Sequence, residues 1–361
     1  MTIALILSAA LLLTAAPVPG GDSLGAGLLP HAATEAVAEA VAATVADDSA
    51  QVRPARRTTY PVAPDLTWHY DRPRLGRTLL NIPRHIAAYP RWAWQKEHRW
   101  GVAGVVAGTA LLYWLDEPVI NAAQALGRTV HLTAESHQKT LVAVPFRPGN
   151  STGALDLELN VPTTLNGAMY FLGDGWTHLT ITTSFWAYGL LGRDNRAAQT
   201  AAQITSALAA TGIVVQTLKR TTGRESPYTT DYPRGRWDFF PNQGEYTRHV
   251  PQHDAFPTGH LATVMATVTV IADNYAEYRF IRPVGYGLMG LLGYAMLNNG
   301  VHWASDYPLG LAIGYGMAKL AVASGRRADL TGSARAPHAA RVAWAPVVRG
   351  PFKGAQVQWR W

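Results

Sequence analysis

Apolar residues recur along the middle of the chain in long segments that are typical of closely packed helices. Between about Thr67 and Ser324 this pattern predicts a series of helices. They are Gly101–Leu115, Thr177–Leu191, a helix capped by Asp194 that runs to Arg220, a helix capped by Thr258 that runs to Phe280, Val284–Leu297, and a helix that begins near Ser305. No segment has 18 consecutive apolar residues, which favours core helices over membrane spans, although both interpretations stay open.

The two ends of the chain follow other patterns. Residues 1–20 begin with an apolar run and end in prolines and glycines, which predicts an export signal, with a retained anchor as the alternative. Residues 21–66 are rich in Ala and Pro and are predicted to be a flexible linker to a helical domain at 67–325. In the tail, 326–361, apolar and polar residues alternate on both sides of Gly350-Pro351, which predicts a β-hairpin.

The amino-acid composition excludes several kinds of site and partner. The chain has 361 residues and no cysteine, which excludes disulfides, thiolate nucleophiles and cysteine-type metal sites. Its net charge is +7, although the first 52 residues contain acids and no Lys or Arg. A basic body suits an anionic membrane surface or a phosphorylated substrate. The chain has no basic helix with interleaved aromatic residues, so no nucleic-acid partner is expected.

Two segments of the last third suit the binding of an anion. Lys219 and Arg224 flank a Thr-Thr-Gly turn at a predicted helix end, where cationic donors match phosphate oxygens. Further on, Pro257-Thr258-Gly259-His260 opens a helix, and free N–H groups at such an end favour an anion. Taken singly, the first segment has the alternative explanation of an ordinary cationic helix end. The second segment, taken singly, is better explained as a capping turn with an incidental histidine.

A third segment carries a His–Asp pair. His302 and Asp306 are four residues apart at the start of the last predicted helix. A carboxylate on one imidazole nitrogen fixes the tautomer and leaves the other nitrogen as a nucleophile or base. The segment lacks a third acidic or His ligand at metal spacing, so no metal site is expected.

Together, the order and spacing of these segments resemble the superfamily of type 2 phosphatidic acid phosphatases and vanadium haloperoxidases, over about residues 95–325. That family's motifs are Lys, six residues, Arg-Pro; then Pro-Ser-Gly-His; then Ser-Arg, five residues, His, three residues, Asp. The resemblance implies an all-α fold, a bundle of about six core helices with the site at helix ends. It also implies phosphatase chemistry without a metal.

By the same resemblance, each matching residue has an expected role. His302 is expected to be the nucleophile that forms a phosphohistidine, Asp306 to orient it, and His260 to protonate the leaving oxygen. The phosphoryl oxygens are expected to be held by Lys219 together with the Thr258 hydroxyl and the Gly259 amide.

This chain departs from the family motifs at two arginines. Ser226 stands in place of the Arg of Arg-Pro, and Ala295-Met296 replaces Ser-Arg. Arg224, two residues upstream of Ser226, is the predicted replacement cation. Arg220 and the amides of Asn298 and Asn299 are further candidates, although amides bind a dianion less strongly than guanidinium groups do.

The function expected from these motifs is metal-independent hydrolysis of phosphate monoesters or diphosphates, with lipid phosphates as the substrate class. Two alternatives stay open: a vanadium-dependent haloperoxidase, which the missing arginines disfavour, and a non-catalytic phospholipid-binding member, which the intact Lys, His and Asp residues disfavour. No cofactor is expected, and vanadate would act as an inhibitor or, in the first alternative, as the cofactor. The protein is expected to be exported and to be periplasmic or membrane-associated, at a membrane surface.

Overall fold

A bundle of helices occupies the middle of the chain. The computed structural model describes residues 56–63, 66–134, 138–146, 155–330, 341–349 and 352–360. The α-helices are α1 (Leu75–Ala93), α2 (Arg99–Thr129), α3 (Leu165–Phe171), α4 (Gly175–Leu191), α5 (Asn195–Thr222), α6 (Gln243–Arg248), α7 (Gly259–Asn274), α8 (Ile281–Asn298) and α9 (Tyr307–Gly325). Short 3-10 helices lie at Val250–Gln252 and Ala304–Asp306.

The strands form small antiparallel sheets beside the bundle. They are β1 (Thr59–Ala63), β2 (Leu66–His69), β3 (Gln138–Phe146), β4 (Leu155–Pro162), β5 (Arg327–Leu330), β6 (Arg341–Arg349) and β7 (Phe352–Arg360). The first sheet has the order β1-β2-β5, and β3 pairs with β4 in a hairpin that the sequence pattern did not predict. The predicted C-terminal hairpin is confirmed as β6 and β7. The fold class is therefore all-α with a short hairpin, as expected.

Part of the predicted linker is paired with the helical domain. Strand β1 lies within residues 21–66, and Tyr60 on it is buried. The rest of that linker up to residue 55, the predicted export signal at 1–20 and the turn at Gly350-Pro351 lie outside the described residues. The domain boundaries therefore stay predictions.

Capping side chains start some of the described helices. The Asp194 side chain accepts a hydrogen bond of 2.9 Å from the Ala197 amide and starts α5, and Gly223 ends it in a left-handed conformation. The sequence predicted a helix from Thr258 to Phe280, but the observed helix α7 ends earlier, at Asn274. There the buried Asn274 amide donates to side chains of α5, and a turn follows before α8 begins.

Helices α7 and α9 pack closely and carry the two histidine segments. A Cβ atom at Gly310 of α9 would lie 2.5 Å from the carbonyl oxygen of Thr258, and one at Gly314 would overlap Ala262. Neither position has room for a side chain, so the two helices approach each other closely here. This close approach sets the loop before α9, with His302, against the first turn of α7.

Two helices of the described chain, α2 and α5, are long and apolar enough to cross a membrane by length and composition. Helix α5 is mostly buried inside the bundle, whereas α2 is mostly exposed. The apolar run predicted to end at Leu115 continues as helix to Thr129, because Asp116 is buried against other side chains rather than facing water.

Candidate functional site

The three sequence segments meet where four helices end. Lys219 lies in the last turn of α5, His260 in the first turn of α7, and His302 in the loop between α8 and α9. The rings of His260 and His302 are 6.3 Å apart between centroids. A Cβ atom at Gly259 would lie 4.0 Å from the ammonium nitrogen of Lys219. The structure thus brings together these four predicted site residues.

The N-terminus of α7 has no side-chain cap. Thr258 occupies the N-cap position, but its hydroxyl lies 3.7 Å from the thioether sulfur of Met296, a weak acceptor, and makes no capping bond. Its own amide donates to the carbonyl oxygen of Asp306. The first-turn amides of this 16-residue helix therefore remain suited to an anion, next to Lys219.

The tautomer of His302 is fixed by a backbone carbonyl. The Nδ1 atom of this buried ring is 2.7 Å from the carbonyl oxygen of Ala255, which can only accept, so Nδ1 carries the proton. The carboxylate of Asp306 is 3.4 Å from the same Nδ1. Because Nδ1 is the donor, the lone pair of the neutral ring is on Nε2. Asp306 acts as a second, longer contact rather than as the single partner that the sequence predicted.

Arg224 does not face the phosphate position, and its predicted role as a replacement cation was wrong. The guanidinium is fully buried and donates to Asp306 and Asp116, each at 2.6 Å, to the Ser305 hydroxyl at 2.6 Å, and twice to the carbonyl oxygen of Arg234. These bonds use all five of its N–H groups. The turn that was expected to aim this side chain at the substrate instead directs it beneath the loop of His302.

This buried cluster includes groups that the motifs did not indicate. Asp116 of α2 accepts from Arg224 and also from the amide and hydroxyl of Ser305, at 2.9 and 2.6 Å. Burial raises the pKa of Asp116, against the hydrogen bonds from Ser305 and the charge of Arg224. The guanidinium also lies 5.0 Å from the ring centre of Trp237 and 5.3 Å from that of Trp303. The one sequence signal for Asp116 was that it ends an apolar run.

Lys219 has an acidic partner that sequence analysis missed. Its ammonium donates to Asp254 at 2.7 Å, and the hydroxyl of Tyr246 donates to the other oxygen of the same carboxylate. Asp254 directly precedes Ala255, whose carbonyl holds His302. A carboxylate at this point offsets part of the positive charge that a phosphoryl group would meet.

The two positions that lack arginine are filled by other packing. Ser226 is buried, and its amide donates to the carbonyl oxygen of Pro251. Met296 is fully buried in an apolar cluster. The amide nitrogen of Asn298 donates to Thr133 and Asn166, so it does not point at the phosphate position as the sequence suggested. Arg220 donates to Gln243 and lies over the ring of Tyr246.

His260 is held tightly at the edge of the site. Its ring packs 4.6 Å from the ring of Tyr170, and a Cβ atom at Gly173 would lie 2.7 Å from its own Cβ. Burial, followed by the neighbouring charges of His302 and Lys219, lowers the pKa of His260 well below its usual value. Among the described residues, no group of three or more His, Cys, Asp or Glu is placed to hold a metal ion.

Comparison with known proteins gives one family match. The model of the PAP2 superfamily matches residues 200–329, which include every predicted site residue. Among solved structures, the crystal structure of Aquifex aeolicus LpxE matches at 17% identity over 44% of this chain and 83% of that chain, with a TM-score of 0.33. So loose a superposition supports no further argument, and no curated protein matches in sequence. Residues 200–329, which carry the three motifs, therefore match the PAP2 superfamily, and the resemblance given by these motifs is confirmed.

Proposed function

We propose that this protein is a phosphatase that hydrolyses phosphate monoesters or diphosphates without a metal, through a phosphohistidine on His302. The observation that carries the proposal is the Nδ1 bond of His302 to Ala255, which leaves Nε2 unprotonated beside the uncapped first turn of α7. A nucleophile and an anion site are thereby adjacent.

The proposed reaction has two steps. In the first, Nε2 of His302 attacks phosphorus, the bond from phosphorus to the leaving oxygen breaks, and His260 gives that oxygen a proton. In the second, His260 takes a proton from water, whose oxygen attacks phosphorus. The bond from phosphorus to Nε2 of His302 breaks, the lone pair returns to Nε2, and phosphate leaves. The first-turn amides of α7, the Thr258 hydroxyl and Lys219 would stabilise the charge on the transferring group.

The buried cluster behind His302 suits this mechanism electrostatically. With Asp116 and Asp306 ionised, Arg224 balances one of the two carboxylates. The remaining negative charge favours the positive charge that the imidazole acquires when its Nε2 is phosphorylated. We therefore assign Arg224 to positioning Asp306 and His302, not to holding the substrate.

Lipid phosphates are the proposed substrate class, because one face of α2 is apolar and exposed. Trp100 and Trp114 on this helix are 76% and 68% exposed. Large exposed apolar surface is typical of a membrane or partner contact, and Trp is favoured at the membrane–water boundary. The proposal places the enzyme at a membrane surface after export, which the mass of the mature chain would test.

The test is phosphate release from a panel of lipid and soluble phosphate esters. Wild-type protein and a His249→Ala control, which alters an exposed histidine, should be active in the presence of EDTA, whereas His302→Ala should be inactive. Orthovanadate should inhibit. Activity that strictly requires Mg²⁺ or Zn²⁺, or unchanged activity of His302→Ala, would refute the mechanism. Peroxide-dependent halide oxidation with vanadate would instead support a haloperoxidase.

A further inference from the structure

A second polar cavity lies far from His302. It has a volume of about 940 Å³ and opens between the start of α1, the first half of α5 and the end of α9. Gln203 of α5 lines it, whereas Lys219 of the catalytic site lies 16 residues further along the same helix. At a rise of 1.5 Å per residue, the two positions are about 24 Å apart. The cavity is therefore separate from the proposed phosphatase site.

Arginines dominate the lining of this cavity. Five of them, Arg72, Arg74, Arg77, Arg326 and Arg327, face one acidic lining residue, Asp71. Arg327 pairs with Asp71 at 2.7 Å, and Arg326 donates to the carbonyl oxygen of Asp273 and lies over the ring of Trp68.

Three of these cations are unpaired. The side chains of Arg72, Arg74 and Arg77 make no ion pair or hydrogen bond with any residue that the structure describes. Guanidinium groups crowded into one cavity repel each other, so the arrangement is costly unless an anion binds there.

Two further features at the cavity favour an anion. Helix α1 begins here without a side-chain cap and without an acid in its first turn, so its positive dipole end is free. At the base of the cavity, Gln203 is 2% exposed. Its amide oxygen accepts from Asn274, whereas its amide nitrogen has no hydrogen-bond partner among the described residues. A buried donor without a partner is uncommon in a folded protein.

From these cations, which have no partner within the described part of the chain, we propose that this cavity is a second anion-binding site that takes a phosphate-bearing polyanion. The guanidinium fork matches phosphate oxygens bidentately, and the volume exceeds what a single phosphate needs. The polar lining suits a hydrophilic group rather than an acyl chain. The ligand is either a soluble phosphate compound or the headgroup of an anionic lipid. The site is independent of the phosphatase proposal, because it shares none of the catalytic residues.

The first test is protection of individual arginines from phenylglyoxal, followed by mass spectrometry of the intact chain's peptides. Sodium pyrophosphate is compared with sodium chloride at equal ionic strength, and phosphatidylcholine vesicles containing phosphatidylglycerol with vesicles of phosphatidylcholine alone. Arg72, Arg74 and Arg77 should be protected about tenfold, whereas Arg84 and Arg91, exposed on the same helix, should react as before.

The arms of this test separate the ligand sources. Protection by pyrophosphate alone indicates a soluble ligand, and protection by the anionic vesicles alone indicates a lipid headgroup; both results support the site. If Arg72, Arg74 and Arg77 were protected no more than Arg84 and Arg91 in every arm, the site would be refuted. Since each arginine is measured individually and Arg72, Arg74 and Arg77 lie outside the proposed catalytic site, the result does not depend on whether the protein is a phosphatase.

Variants provide a second measurement. The triple change Arg72→Gln, Arg74→Gln and Arg77→Gln should weaken binding of the protective ligand about tenfold or more. The matched triple Arg84→Gln, Arg91→Gln and Arg128→Gln removes the same charge from exposed positions outside the cavity and should bind as the wild type does. Equal weakening in both triples would show a general effect of net charge and would refute a defined site.

Discussion

The guanidinium of Arg224 donates a 2.6 Å hydrogen bond to Oδ1 of Asp306, and both side chains are fully buried. Asp306 in turn lies 3.4 Å from the Nδ1 atom of His302. The arginine nearest to the missing family position thus contacts Asp306 behind His302, the proposed nucleophile. A buried ion pair of this kind is costly to break, because either partner left alone is an unpaired buried charge.

Arg224→Lys should lower kcat far more than it changes inhibitor binding. Lysine keeps the charge but cannot supply five donors in one plane, so Asp306 and His302 lose their fixed positions. We expect kcat for a lipid phosphate to fall about tenfold or more, the scale of a displaced catalytic group. The Ki of orthovanadate should stay within about twofold, because Arg224 does not contact the bound anion.

Two measurements keep this prediction separate from simple unfolding. Arg224→Met should cost about 3–5 kcal/mol of unfolding free energy, whereas Arg224→Lys should retain a cooperative thermal transition. If the Ki of orthovanadate rose in proportion to the loss of kcat, Arg224 would contact the phosphoryl group after all.

His260→Ala should affect poor leaving groups most. An alkyl phosphate needs a proton on its leaving oxygen, whereas an activated aryl phosphate does not. The lowered pKa of His260 means that its protonated form becomes scarcer as pH rises through that pKa, well below 6.5. We therefore expect kcat/KM of the wild type for alkyl phosphates to rise as the pH falls toward the pKa of His260. This pH dependence should disappear in His260→Ala. Equal losses on both substrate classes would assign His260 another role.

Local signals in the sequence identified the residues that we propose as reacting groups, but not the residues that hold them in place. Thr258, Gly259 and His260 are contiguous, and His302 and Asp306 are four apart, so a short motif specifies each group. Which carbonyl would hold His302 was not predictable, because Ala255 lies 47 positions away in the chain.

The direction of the Arg224 side chain could not be predicted from the sequence of its turn alone. Gly223 has the left-handed conformation that a helix end needs, and this sets the direction of the next side chain. Whether that direction faces substrate or core depends on Asp116, which is 108 positions away. A lone acid in an apolar run signals a buried partner but does not identify it.

Asp254→Asn should strengthen the binding of anions at the catalytic site. The carboxylate accepts from Lys219 at 2.7 Å and from the Tyr246 hydroxyl. In Asn, the amide oxygen can accept from Lys219 while the NH2 group donates to the Tyr246 hydroxyl oxygen, without the negative charge. We expect the Ki of orthovanadate to fall about fivefold, which corresponds to roughly 1 kcal/mol. Asp238→Asn, which removes an exposed acid from a nearby loop, should leave the Ki unchanged. An unchanged or higher Ki in Asp254→Asn would show that Asp254 holds Lys219 in its binding position.

His85→Phe should make the protein less sensitive to acid. His85 of α1 is buried, and neither ring nitrogen has a hydrogen-bond partner in the part of the chain that the structure describes. Burial lowers its pKa to about 4. The unfolded chain binds a proton at this residue below about pH 6.5, whereas the folded chain does so only near pH 4. The contribution of neutral His85 to the free energy of unfolding is therefore fully present above pH 6.5. It is lost as the pH falls from 6.5 to 4, by up to about 3 kcal/mol.

Urea unfolding at pH 7 and pH 5 measures this contribution, since the difference between the two values cancels any general change in packing by the phenyl ring. The loss of unfolding free energy between these pH values should shrink in His85→Phe by about 2 kcal/mol. Part of the acid sensitivity should remain, because burial also lowers the pKa of His178 to about 4. The exposed control His249→Phe should lose as much stability as the wild type. An equal loss in wild type and His85→Phe would show that His85 accepts a proton in the folded chain.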